Sequence, residues 1–261
     1  MEILGYLSAV VMGVLLGLIG GGGSILTVPI LVYLFNVNPV TATAYSLFIV
    51  GITSLIGSYS HLKKGHIDLR IALTFGAPSI VSVWLVRAKL LPIIPENIFQ
   101  TGDYLLTKSS LILLLFSALM LGAALTMIYQ PKKAVATKVE KLNYPLIFIE
   151  GFMVGGLTGL VGAGGGFLII PALVLLAGLS MKRAVGTSLL IIATKSLIGF
   201  SGDLVAGSAI DYSFMATFSA FAIVGILAGS GLAQKISDQK LRPVFGWFVL
   251  ITGIFMLWKE L

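Results

Sequence analysis

The chain has 261 residues, of which 57% are hydrophobic and only 10% charged, against about 25% charged in soluble domains; so few charges cannot cover a water-facing surface, and a soluble globule is excluded. The net charge of +7 reads as lysines and arginines gathered in short membrane-flanking connections, which argues against a nucleic-acid partner. With no cysteine, a disulfide framework, a thiolate metal site and a redox thiol are all excluded.

The first element, residues 3–35, is apolar except for the break Gly20-Gly21-Gly22-Gly23-Ser24. It follows Met1-Glu2 without a basic region and runs into glycines where a signal peptide would have a cleavage site, so it is expected to stay in the folded protein. One unbroken helix over 33 residues would reach about 50 Å, too long for a hydrocarbon core of about 30 Å. Split at the glycines, the second arm, residues 24–35, spans only about 18 Å and cannot cross alone. Either the segment makes one tilted, broken crossing, or it is a re-entrant hairpin that returns to its own side.

Uncharged runs at 71–86 and 109–130 follow, and their lengths approach or exceed the roughly 20 residues of a spanning helix. Between break and runs, His61 and His66 flank Lys63 and Lys64, and all four read as solvated loop residues, with no metal site expected. Residues 131–142 form a basic linker, expected to be cytoplasmic, between a first repeat (1–130) and a second (143–261). No soluble domain is expected. The second repeat opens with its own break, four glycines within residues 162–166, and continues with runs at 184–202, 212–234 and 243–258. Only Lys195 interrupts the first of these.

The repeats declare themselves at a constant offset of 142. Residues 17–65 then lie on 159–207 without a gap, with 20 of 49 positions identical. Matched glycine clusters, Pro29 with Pro171, Ser46 with Ser188 and Ser54 with Ser196 are more than apolar composition supplies. Duplicated halves are the common plan of secondary transporters.

Positive charge chooses between the two topologies. If each glycine-broken segment is re-entrant and followed by three spans, Lys63, Lys64, Arg70, Lys132, Lys133, Lys138, Lys141, Lys182, Arg183, Lys235, Lys240 and Arg242 share one side. Arg87, Lys89, Lys108 and Lys259 then lie opposite, a split of 12 to 4. One net crossing per break gives 8 to 8. The biased arrangement obeys the positive-inside rule. The expected fold is thus an all-α membrane protein of two inverted repeats, each a re-entrant helix pair followed by three transmembrane helices, with both termini outside a multi-pass cell-membrane protein.

Each break starts a helix inside the membrane, where amides lack intrahelical partners and the dipole adds partial positive charge. Glycines let a ligand approach those amides closely. Two such ends make an expected anion site at Gly21, Gly22, Gly23 and Ser24 in one half and Gly164, Gly165 and Gly166 in the other. Close helix packing is the plainer use of such glycines, but two matched clusters of this density exceed that need. Lys195, at the position matching Thr53, costs about 3 kcal/mol to bury. An anionic substrate would balance it; an ion pair with Glu150 is the structural alternative. Thr43, Ser46, Thr187 and Ser188 are the hydroxyls expected near the substrate. No P-loop ending, dinucleotide fingerprint, HExxH or GxSxG motif occurs, so neither catalysis nor a cofactor is expected.

The twin signature GLIGGGGSILTVP (17–29) and GLVGAGGGFLIIP (159–171), with AVGTS (184–188) and SLIG (196–199), resembles the sulfite exporter TauE/SafE family of membrane permeases. The resemblance covers nearly the whole chain. It implies secondary transport of a small sulfur-containing anion such as sulfite, thiosulfate or an organosulfonate, within the lipid bilayer and coupled to H⁺ or Na⁺. An anion channel and a non-transporting scaffold or sensor are the alternative readings.

Overall fold

The computed structural model describes residues 2–101, 104–129, 143–233 and 238–260. The basic linker expected at 131–142 lies outside the described residues.

Helix α1, Glu2–Ile19, stops where Gly20 takes a positive φ of 72°, and a 3₁₀ turn, Gly21–Leu26, leads into α2, Thr27–Phe35. The second arm therefore begins as a tight turn, where an α-helix from Ser24 was expected. Gly23 packs on the backbone of Leu15 and Leu16. At the far end the Phe35 ring lies edge-on to Tyr6, with centroids 5.3 Å apart, and covers Gly5. The chain has turned back beside itself, so this element is a helical hairpin. Asn36, left-handed at φ 52°, ends it.

Helix α3, Pro39–Lys63, starts with proline in its first turn and the Asn38 side chain accepting from the Val40 amide. Helix α4, Leu69–Leu85, is capped by Asp68 in the same way. It runs on through a π turn, Val86–Leu90, into the short α5, Leu91–Ile93. Two antiparallel strands follow, β1 (Asn97–Thr101) and β2 (Tyr104–Thr107), a hairpin that the all-α expectation did not contain. Helix α6, Lys108–Ile128, closes the first half.

The second half repeats the plan. Helix α7, Tyr144–Val161, breaks through Gly162 and Gly165, both with positive φ, into α8, Gly166–Leu175. Helices α9 (Met181–Val205), α10 (Tyr212–Leu232) and α11 (Asp238–Glu260) follow. Among the described residues, six helical stretches are long and apolar enough to cross a membrane: α3, Leu69–Ile93, α6, α7, α9 and α10. The protein is an all-α membrane protein apart from the small hairpin.

Helices α3 and α9 form the enclosed centre and run antiparallel: Gly51 lies beside Leu197, Gly57 beside Leu189 and Gly199 beside Leu47. Around them each half lends its broken helix to the other. Helix α1 packs on α10, with Gly13 against the Ala222 carbonyl and Gly17 against that of Ile226. Helix α7 packs on α4, with Gly151 and Gly155 against the carbonyls of Phe75 and Ser79. These glycines let backbones meet directly, which suits a membrane interior where close van der Waals packing replaces the hydrophobic drive.

Candidate functional site

The two breaks touch. Gly21 and Gly166 are in backbone contact, with no room for a side chain on either, and Gly164 faces Ser24. The Ser24 hydroxyl donates to the Gly21 carbonyl at 2.6 Å, fixing the 3₁₀ turn. Each break also abuts the start of the other half's long helix: Gly20 meets Val185, and Gly162 meets Thr43. Gly22 and Gly23 turn inward on α1, beside Ile19 and Leu16. The structure thus brings Gly21, Ser24, Gly164, Gly165 and Gly166 into one cluster.

Lys195 belongs to that cluster. It is fully buried on α9, and its ammonium donates to the Thr158 hydroxyl on α7. Thr158 in turn donates to the Val154 carbonyl at 2.7 Å. The Lys195 Nζ lies 3.0 Å from the point where a Cβ on Gly165 would stand, so glycine there leaves the ammonium its space. Among the described residues no carboxylate pairs with it. The Glu150 pairing considered from sequence does not form, and Glu150 keeps a buried Oε2 without a hydrogen-bond partner. An ammonium has three donors, and Lys195 spends one on protein.

The predicted hydroxyls do not converge on it. Thr43 and Thr187 sit near the starts of α3 and α9, hence at opposite ends of the antiparallel pair. The Thr187 hydroxyl accepts from the Asp68 amide at 3.0 Å. The Ser188 hydroxyl donates to the Val185 carbonyl at 2.9 Å, while that of Ser46 is buried without a partner. Ser54 and Ser196, matched by the repeat, are also buried and unpartnered.

Arg87 and Asp203, each one residue past an apolar run, are structural. Arg87 is fully buried, and its Nε donates to Asp203 Oδ2 at 2.8 Å. Its Nη2 lies 2.8 Å from Oδ1, and Nη1 donates to Thr43 (2.9 Å) and to the Gly159 carbonyl (3.2 Å). The apolar runs stop one residue short of each, so sequence alone placed them at the membrane edge. The π turn carries Arg87 inward, and Gly202 gives its Cβ room. His61 likewise lies in the last turn of α3, with Nδ1 buried and its ring beside Gly186, and is no solvated loop residue.

A cavity of about 430 Å³ opens between α6, α7 and α8, lined by Gly122, Thr126, Glu150, Phe167, Pro171 and Leu175 among others. Of its lining residues Glu150 alone is ionisable. Nothing in the repeat pattern marked it, because the matching residue in the first half is Ser8.

Known proteins resemble this chain over most of its length. The family model of the sulfite exporter TauE/SafE matches residues 6–256. A "Probable membrane transporter protein" of Xylella fastidiosa is 30% identical over 252 residues, covering 95% of this chain and 92% of that protein. "Probable membrane transporter protein YdhB" of Bacillus subtilis is 28% identical over 243 residues, 92% of each. A "Probable membrane transporter protein" of Methanocaldococcus jannaschii is 29% identical over 265 residues, covering 95% of this chain and 92% of that protein. No solved structure matches. The match spans both glycine breaks and the helices around them: the chain belongs to the sulfite exporter TauE/SafE family.

Proposed function

We propose that the protein is a secondary carrier of a small sulfur-containing anion, working by alternating access between two inverted halves. The observation that carries this reading is Lys195: a buried ammonium with one neutral partner, placed against the glycine break that opens α8. A buried charge of this kind is costly and marks a substrate or ion path. A sulfite, thiosulfate or sulfonate group supplies the missing negative charge and the acceptors for the unused donors. The antiparallel α3–α9 pair and the exchange of broken helices between halves support inversion, and the names of the relatives support transport.

Purified protein in liposomes tests this directly. Sulfite, thiosulfate or a small sulfonate is expected to enter saturably and to show counterflow, with no uptake of neutral sugars. Saturation and counterflow separate a carrier from a channel. Lys195→Ala is expected to bring uptake to the protein-free background, because the anion loses its only counter-charge in the site, while thermal unfolding in detergent changes little. Full uptake by that variant would remove Lys195 from the site.

The orientation has its own test, helped by the cysteine-free sequence. A cysteine appended after Leu261 is expected to react with an impermeant maleimide in intact cells. Lys64→Cys, an exposed position at the end of α3, is expected to react only after permeabilisation. The opposite pattern would reverse the proposed topology.

A further inference from the structure

We propose that Glu150 is a proton-binding site, fed from the cavity between α6, α7 and α8, and that its proton is the coupling ion of the carrier; the coupling half of this statement rests on the function proposed above. Three observations meet at this residue. It lies within a helix long and apolar enough to span the membrane. Its Oε2 is buried with no hydrogen-bond partner. It lines a cavity of about 430 Å³ whose other lining residues carry no ionisable side chain. When ionised, a carboxylate in such a place has no cation among the described residues to hold it, which is the situation of a carrier proton site.

Among the described residues, the charges on neighbouring elements are paired elsewhere, except Arg70, about one turn from Glu150 toward the start of α7. Helix α8 has none, and α6 has only Lys108, in its first turn and 3.9 Å from Glu96. On α4, Asp68 is 2.9 Å from Arg183, and Arg70 lies in the first turn, beside the end where α7 begins. Arg87 reaches α7 at Gly159, nine residues further on, and is held by Asp203. Lys195 reaches α7 at Thr158. Glu150 and the Lys195 anchor are thus on one helix, eight residues or about 12 Å apart, so a proton and an anion can be sensed by the same rigid element without sharing a site.

Two readouts test this on the full chain. N,N′-dicyclohexylcarbodiimide reacts with protonated carboxyls in apolar surroundings. The Glu150 peptide, followed by mass spectrometry of the detergent-solubilised protein, is expected to be modified, and faster as the pH falls. Exposed Glu96 is the internal control. In liposomes, Glu150→Gln is expected to keep thiosulfate counterflow while losing accumulation driven by a pH gradient, since a neutral amide cannot carry the proton. No labelling of Glu150 at any pH, or pH-driven accumulation by Glu150→Gln equal to that of the parent, overturns the proposal. Labelling that rises with acidity in a protein that transports none of the anions would sustain the proton site and sink the cargo.

Discussion

Asp203→Ala is expected to lower stability by about 3–5 kcal/mol, the usual cost of leaving one partner of a buried ion pair alone. Both residues are almost fully enclosed. The pair ties α9 to the π turn after α4, and through Thr43 and Gly159 it also reaches α3 and α7. Without the carboxylate, the Arg87 guanidinium keeps two neutral acceptors and no counter-charge. The pair itself need not be worth that much, because desolvation offsets much of its attraction. Replacing both partners, as in Arg87→Met with Asp203→Leu, is therefore expected to recover most of the loss. Thermal unfolding in detergent of the two single variants and the double variant measures the coupling. A loss below about 1 kcal/mol for Asp203→Ala would place the pair in water, where exposed ion pairs contribute that little.

What the sequence could and could not reveal divides along this same line. Arm length showed only that residues 24–35 are too short to cross a bilayer alone, and the positive-charge count then favoured a hairpin over a broken crossing; Phe35 lies against Tyr6, as a hairpin places it. The constant offset disclosed the duplication, and the glycines at 13, 17, 151 and 155 turn out to be where each half receives the other. Lys195 was visible because a lone lysine in an apolar run has no innocuous place. Arg87 and Asp203 were not visible. They stand one residue beyond apolar runs, where a snorkelling side chain and a buried one look alike in sequence. Only the π turn, which depends on how α4 meets α9, decides between them. Thr158 was hidden for a similar reason: a threonine on a membrane helix commonly bonds the carbonyl one turn back, and Thr158 does so while also accepting from Lys195. The strands at 97–101 and 104–107 are short and carry no long alternating pattern, which left them below the level of the hydropathy signal.

Gly166→Ala is expected to be more damaging than most single methyl additions, and its effect separates two meanings of the glycine breaks. A Cβ at this position would overlap the Cα and carbonyl carbon of Gly21. Those are backbone atoms of a buried turn and cannot swing aside, so the penalty is expected at or above the upper end of the 1–3 kcal/mol typical of overpacking. Gly231→Ala is the matching control, since a Cβ there meets nothing within 4 Å; it is expected to be neutral or slightly stabilising, as alanine is the better helix former. If the breaks served only as a binding surface, Gly166→Ala would spare stability and remove transport, as Lys195→Ala is expected to do. The Gly21–Gly166 contact requires instead that unfolding temperature and transport fall together. On the function proposed above, the amides offered to an anion are those beside this contact, at Gly164 and Gly165, which lie against Ser24 and Lys195. A Gly166→Ala protein with parental stability would mean that the two breaks stand apart, and the anion site would have to be sought between them.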